Sequence, residues 1–387
     1  MKSEIHLSII WNNALDHSSH ILSEIQKKFV IIEVYDIHWS DELFIDNLKR
    51  FYSHSLSHVS QWRLQRAMNG KMKHCGKGVF RLIIFRDTSP IAGYRDTSSG
   101  SRIVNTNVFD LKQMLRSLTG GGHMIHGSDN VKETSKDLTL LLGKNYNHYL
   151  NSIVRDWNGE KVVLKQDVFG VKGFGSIDDL FYLLNASLDY VVLRNFEEFP
   201  SNVLLDEHSD VDILVENKGQ FLYSTGARKT FRHRDRVQYT IKIKGLDIPF
   251  DVRSVGDNYF DKSWQKSVLD TRILRKDTFY SPNDVNYYYS LLYHALLHKP
   301  NLMEDYIKRL TVMADGLGVP PLSFKDLTHY MDDNEYIYVV PNDYSVFFKY
   351  KQDFPVPKIA QSRKLRQFFV LIKAYFIARI KGILNYD

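Results

Sequence analysis

The sequence predicts an α/β (α+β) protein of two domains. At 387 residues the chain is long enough for two separate cores. Its hydrophobic content of 43% and charged content of 25% are those of a folded chain rather than a disordered one. Strand-like runs alternate with helical patterns in both halves. The frequency of tyrosine and phenylalanine, 23 of each, calls for large buried or stacking surfaces. There is no internal repeat and no low-complexity stretch. The linker is expected between Gly143 and Lys161, and a second break at Phe354-Pro-Val-Pro357. Domains are therefore expected at 1–148 and 160–350, with a basic amphipathic tail over 355–387.

In the first domain, Ile5–Trp11 reads as a strand. Ser18–Phe29 reads as a helix, because Ile21, Leu22, Ile25 and Phe29 fall at helical spacing. Val30–Ile37 is a second strand ending near Ser40, a candidate N-cap. Asp41–Tyr52 is a second helix, and the run from Gly78 to Phe85 is another strand. Residues 120–130 are the most telling stretch: Gly-Gly-Gly-His-Met-Ile-His126-Gly-Ser128-Asp129-Asn. A short strand delivers the His126 imidazole between small residues, and the Ser-Asp pair can open a helix. A neutral imidazole there can accept a phosphoryl group, and helix N–H groups suit phosphate. The plain alternative is one of 15 histidines in an ordinary turn.

This region, roughly residues 4–148, resembles nucleoside diphosphate kinase. The family carries its phosphorylated histidine in Asn-x-x-His-Gly-Ser-Asp, with a glutamate eleven residues later holding the ring. His126, Gly127, Ser128 and Asp129 match that motif, and Asp137 stands at the glutamate position. Asn105 and Arg116 have the spacing of the family's threonine and phosphate-binding arginine. The resemblance implies a ferredoxin-like fold, a catalytic His126, and phosphate binding by Arg116, Ser128 and Asp137. The chain departs from the family at Trp11-Asn12-Asn13, where the family has Lys-Pro-Asp with a lysine on the terminal phosphate. It departs again at His123, where the family has asparagine. The resemblance thus implies phosphate binding more than full kinase turnover.

In the second domain, Asp189–Asn195 reads as a strand leaving into a polar turn. Ser209-Asp210-Val211-Asp212-Ile213-Leu214-Val215 reads as the next strand. Residues two apart on a strand share a face, so Asp210 and Asp212 point together while Val211 and Ile213 point inward. Two adjacent carboxylates repel each other, and a divalent cation with oxygen preference, Mg²⁺ or Mn²⁺, relieves that repulsion. An exposed edge strand with solvated acids is the alternative. Val237–Lys244 and Asp247–Val252 read as a hairpin, which brings Asp251 forward as a third carboxylate, with Asp247 as the alternative.

The stretch 165–310 resembles the nucleotidyltransferase superfamily, which uses an Asp-x-Asp strand and a third carboxylate on a neighbouring strand. The resemblance implies a nucleotidyltransferase-like mixed-sheet domain in which Asp210, Asp212 and Asp251 are catalytic metal ligands. Arg194-Asn195 stands where the family has its Gly-Ser loop, and Arg194, Asn195, Ser209 and Arg253 would then contact the nucleotide donor. Asn286–His298 follows as a helix. Its His294 and His298 have metal-compatible i, i+4 spacing, but with no further ligand in the pattern they read as packed histidines. The run from Arg194-Asn195 to His298-Lys299 is also similar to transferases of bacterial surface-glycan clusters. The resemblance implies nucleotidyl or alditol-phosphate transfer to a sugar or glycan acceptor.

The net charge of +6 is concentrated at the end of the chain. Lys358, Arg363, Lys364, Arg366, Lys373, Arg379 and Lys381 follow one another with no acidic residue between them, interleaved with aromatics. The apolar run is too broken to span a bilayer. It reads either as a helix at an anionic membrane surface or as a terminal helix docked on the protein's own core. Nucleic acid is not an expected partner, because no recognised binding motif is present. The single cysteine, Cys75, excludes an intrachain disulfide and a Cys-rich zinc site, which fits a reducing cytosol. No signal-peptide pattern is evident at the N-terminus. The expected function is a metal-dependent phosphotransferase, cytoplasmic or peripheral at the inner membrane face. The alternatives are a nucleotidyltransferase acting on protein or RNA, and a nucleotide-binding module without activity.

Overall fold

A computed structural model of the protein describes residues 3–97, 100–151, 157–197, 199, 210–230, 238–349, 362–365, 367–369 and 372. The protein is a mixed α/β molecule of two compact units. The first comprises Met1–Leu188 with Gly219–Ala227 and Lys242–Gly245. The second comprises Asp189–Lys218, Arg228–Ile241 and Leu246–Asp387.

The first unit opens with β1 (Glu4–Ile10), α1 (Ser18–Gln26) and β2 (Val30–His38). A 3₁₀ turn at Asp41–Leu43 leads into α2 (Phe44–Phe51), then α3 (Ser53–Leu56), α4 (Gln61–Cys75) and β3 (Phe80–Asp87). A ribbon of β4 (Ala92–Thr97) and β5 (Gly100–Asn105) precedes α5 (Thr106–Leu118). β6 (Ile125–Gly127), α6 (Val131–Leu142), α7 (Tyr146–Leu150), β7 (Val162–Lys165) and α8 (Ile177–Ser187) complete it. The sheet order is β6-β1-β3-β2-β7. β1 pairs antiparallel with β3 and β6, and β2 antiparallel with β3.

Ile21, Leu22 and Ile25 of α1 and Val108, Leu111 and Leu115 of α5 bury one core with Ile10, Ile83, Phe85 and Ile125 of the sheet. Each such side chain contributes roughly 1.5–3 kcal/mol relative to exposure. The first helix ends at Gln26, three residues before the expected Phe29. Phe29 stays buried because its N–H still bonds the Ile25 carbonyl at 2.9 Å.

Two local expectations differ from the fold. Ser40 does not cap a helix with its side chain; its N–H and hydroxyl donate to Asp167 at 2.9 Å each. The helix after His126 starts at Val131 and is capped by Asn130, whose side chain accepts the Glu133 N–H at 2.9 Å. The first unit also runs past the expected 143–161 linker. β7 adds in parallel to β2, and Gln166 N–H bonds the His38 carbonyl at 3.1 Å.

In the second unit, β8 (Tyr190–Val192) and β9 (Val211–Val215) precede α9 (Lys218–Thr225), most of which belongs to the first unit. β10 (Arg228–Lys229), β11 (Gln238–Ile243) and β12 (Leu246–Ser254) follow. Next come α10 (Lys262–Asp270), β13 (Ile273–Arg275), β14 (Phe279–Ser281), α11 (Asp284–Leu297), α12 (Glu304–Leu317) and α13 (Phe324–Asp333). The main sheet runs β10-β11-β12-β9-β8. Lys244 and Gly245 both have positive φ, 50° and 80°, the requirement of a two-residue hairpin turn between β11 and β12. β9 is an interior strand, parallel to β12 and antiparallel to β8, and all five of its residues are buried. It therefore does not show the half-exposed alternation of an edge strand.

Aromatic side chains pack this unit's helices. Trp264, Tyr288 and Tyr293 are fully buried, and Tyr289 stacks on Tyr330 at 3.7 Å. Of the terminal basic run, Arg363 points inward. Its guanidinium donates to the carbonyls of Pro341, Asp343 and Val346, while Leu365, Phe368 and Phe369 stand about 60% exposed. Lys358, Arg366, Lys373, Arg379 and Lys381 lie outside the described residues.

Asn47 ties α2 to the segment beyond the expected linker. Its amide donates to Asp167 at 2.8 Å and accepts the Val168 N–H at 3.1 Å. Asn47→Ala strands a buried N–H, so it should destabilise by about 1–3 kcal/mol. A lowered urea midpoint with unchanged slope checks this, and an unchanged midpoint would contradict it.

Candidate functional site

The first site grows from the edge of the first sheet. β6 pairs Ile9 with His126, and strand alternation sends Ile125 into the core while the His126 ring faces the other side. Asp137, buried on α6, meets that ring: its Oδ2 lies 2.7 Å from His126 Nε2. With the carboxylate accepting a hydrogen bond from Nε2–H, the neutral ring keeps its lone pair on Nδ1. Burial pushes the Asp137 carboxyl up, but Lys136, 3.0 Å from Oδ1, and His126 together hold it below the usual carboxylate range. Phe51 and Tyr52 pack edge-on against the imidazole at 4.9 and 5.9 Å.

Trp11, at the position where a lysine was missing, is buried among Trp39, Phe51, Tyr52 and Phe80, and its indole N–H donates to the Tyr52 hydroxyl at 3.0 Å. Arg116 donates from Nε to the Ile125 carbonyl at 3.2 Å, which holds its guanidinium beside β6. Gly120, Gly121 and Gly122 have φ of 79°, 86° and 79°, a left-handed run that carries the chain from α5 to His123. Ser128 is not placed for a ligand. Its hydroxyl is buried, accepting from Leu7 N–H at 3.3 Å and from Thr134 at 2.8 Å.

The second site is set by strand register. In the parallel pairing of β9 with β12, Asp212 stands opposite Asp251. Asp210, one residue before the strand, joins them, and one carboxylate oxygen of each lies within 4.8 Å of the others. Asp247 shares Asp251's face but sits four residues nearer the hairpin, roughly 13 Å along the strand. Two arginines neutralise the cluster. Arg194 donates to Asp212 Oδ1 at 2.5 Å and to the Tyr259 hydroxyl at 3.1 Å. Arg253 donates to Asp251 Oδ2 at 2.6 Å and to Asp343 at 2.9 Å. Asn195 instead accepts from Arg309 at 2.9 Å, and Ser209 lies outside the described residues.

Asp251 Oδ1 is buried with no hydrogen-bond partner. An acceptor oxygen without a donor, inside a trio of carboxylates, is what an oxygen-preferring divalent cation would use, so the residues fit Mg²⁺ or Mn²⁺. Burial pushes the Asp212 carboxyl up to about 7; Arg194 opposes this, and Asp251 and Asp210 add to it. His294 takes no metal-ligand position: its Nδ1 meets the Tyr259 hydroxyl at 2.7 Å. His298 lies among Tyr259, Phe260 and Tyr293, and burial pulls both histidines well below their ordinary values.

Some residues around these sites carried no readable signal. Lys71 comes from α4, where the sequence is merely amphipathic. Asp343 lies 92 residues after Asp251 in no motif. Lys218 bonds the Val252 carbonyl at 3.2 Å beside Asp251, and burial, with Arg253, pulls it down to about 8. No family model matches the chain, and no curated protein matches it significantly.

Asp212 yields a pH prediction. In the unfolded chain an aspartate releases its proton near pH 4. In the folded site the proton is held to about 7. Asp212's contribution to stability is thus fully present below about pH 4 and is lost as pH rises through about 7. Removing one neighbouring charge with Asp210→Asn should recover on the order of 1 kcal/mol at pH 8, and much less at pH 4. Urea unfolding at the two pH values checks the difference, and an equal effect at both would contradict it.

Proposed function

We propose that the protein is a metal-dependent phosphotransferase that moves a nucleotidyl or alditol-phosphate group from an activated nucleotide donor to a sugar acceptor. The observation carrying this reading is the convergence of Asp210, Asp212 and Asp251, with Asp251 Oδ1 left without a donor. Bound there, Mg²⁺ would neutralise charge on the donor's phosphates. The acceptor hydroxyl oxygen attacks the donor phosphorus, its proton passes to the carboxylate cluster, and the bond from that phosphorus to the leaving phosphate breaks, releasing a nucleoside monophosphate in alditol-phosphate transfer and pyrophosphate in nucleotidyl transfer. Arg194 and Arg253, already at the cluster, offset the negative charge on the leaving group.

Other features support the fold assignments. The antiparallel order β6-β1-β3-β2, with α1 after β1 and α5 before β6, is the arrangement a ferredoxin-like, nucleoside-diphosphate-kinase-like unit requires. The mixed sheet carrying an Asp-x-Asp strand beside Asp251 suits a nucleotidyltransferase-like unit. One observation favours a nucleotide-binding module without activity: both arginines pair with the carboxylates that would hold the metal.

A place at the inner membrane face, in surface-polysaccharide assembly, rests on the tail. Leu365, Phe368, Phe369 and Ile372 follow i, i+3, i+4, i+7 spacing, and the first three are exposed. No helix among the described residues is long and apolar enough to cross a membrane.

Asp212→Asn and Asp251→Asn should fold yet lose at least about a hundredfold in transfer rate, measured with CDP-alditols and with plain nucleoside triphosphates as donors. Wild-type turnover in either variant at saturating Mg²⁺ removes the metal site from this position. Replacing Leu365, Phe368 and Phe369 with glutamate should abolish sedimentation with anionic liposomes and leave the thermal transition in place. Unchanged sedimentation would discard the membrane role.

A further inference from the structure

Arg253 stands in the way of a cation at Asp251. Its guanidinium is buried and donates to Asp251 Oδ2 at 2.6 Å. A guanidinium held on a carboxylate offsets the charge that a metal ion would use there. A second carboxylate changes the balance. Asp343 Oδ2 accepts from the other arm of Arg253 at 2.9 Å, and both side chains are only 6% exposed. One guanidinium between two carboxylates leaves the group negative, and Asp251 Oδ1 still has no donor.

Asp343 is itself firmly set. Its Oδ1 accepts the Ser345 N–H at 2.9 Å and the Ser345 hydroxyl at 2.8 Å, which closes a tight turn. The neighbouring Asn342 N–H donates to the Asp257 carbonyl at 3.0 Å. Arg363, buried in the terminal segment, donates to the carbonyls of Pro341, Asp343 and Val346, the last two at 3.2 and 3.1 Å. Both oxygens of Asp343 therefore meet donors. Asp343 also stands outside the three carboxylates whose oxygens converge, so its reach to the metal runs through Arg253.

We propose that Asp343 is a positioning residue for the divalent cation at Asp210, Asp212 and Asp251, and that Arg363 sets it in place; this rests on the metal site of the proposed function. Asp343 anchors Arg253 and offsets its charge. Arg253 then holds Asp251 by Oδ2, which turns Oδ1 to the cation. A partner that fixes a ligand from behind governs metal affinity almost as the ligand does. The terminal segment thereby reaches the site through one inward-pointing arginine.

The test is calorimetric titration of Mn²⁺ into the full chain. Asp212→Asn marks the site and should abolish this binding. Asp343→Asn keeps the shape and an acceptor oxygen but loses the charge, and it should weaken Mn²⁺ about tenfold. Asp343→Glu, which returns the charge, should recover most of that loss. Arg363→Met should weaken Mn²⁺ about threefold, because the turn that carries Asp343 loses the donors on three carbonyls. Where Asp343→Asn fails to fold, Arg363→Met is read in its place. Unchanged Mn²⁺ affinity in either variant, with binding still lost in Asp212→Asn, overturns the proposal and leaves the metal site intact. A loss that Asp343→Glu does not reduce assigns Asp343 to folding alone and overturns it as well. No Mn²⁺ binding by the native chain overturns the metal site and the proposal together.

Discussion

Charge held away from water is the constraint on which both units depend. Asp212 and Asp137 are buried, and each is met by a cation, Arg194 for Asp212 and Lys136 for Asp137, with His126 as a second partner of Asp137. The pairs Asp212–Arg194 and Asp137–Lys136 therefore shape their surroundings. Arg194 reaches Tyr259, and Tyr259 reaches His294, so α11 is tied to the strand that carries Asp212. Lys136 reaches the Phe51 carbonyl at 3.3 Å, and Phe51 packs on His126, so α2 is tied to β6.

What each site leaves unsatisfied gives it a chemical direction. In the second unit the remainder is an acceptor: Asp251 Oδ1 has no donor although Arg253 holds the other oxygen. In the first unit Asp137 Oδ1 likewise has no hydrogen-bond donor, although the Lys136 ammonium stands 3.0 Å from it. An orphaned carboxylate oxygen draws a divalent cation.

Much of the local structure was legible in the sequence. The period-2 and period-3.6 patterns placed β1, α1, β2 and α11 to within a few residues, because apolar spacing reports which face is buried. Lys244-Gly245 declared its hairpin turn through its own backbone preference. The helix caps were less legible. Ser40 and Ser128 have cap-forming side chains, yet a half-buried Asp167 and a buried Thr134 claimed their hydroxyls. Local propensity loses to a partner that arrives from far along the chain.

The sequence by itself determined the mixed α/β class and the strand that carries Asp212, with Asp210 just before it; the pairing of Asp137 with His126 was legible only through the family resemblance. The class and the strand are short-range matters, governed by the pitch of a helix and the pleat of a strand. Only the tertiary structure decided that Asp251 stands opposite Asp212, since parallel register is a long-range choice. It also decided that Arg194 holds Asp212, that Arg253 reaches Asp343, and that Lys71 rises over Tyr52. Side chains 18 or more residues apart are joined by sheet pairing and by the need to neutralise buried charge, and neither leaves a periodic trace in the sequence.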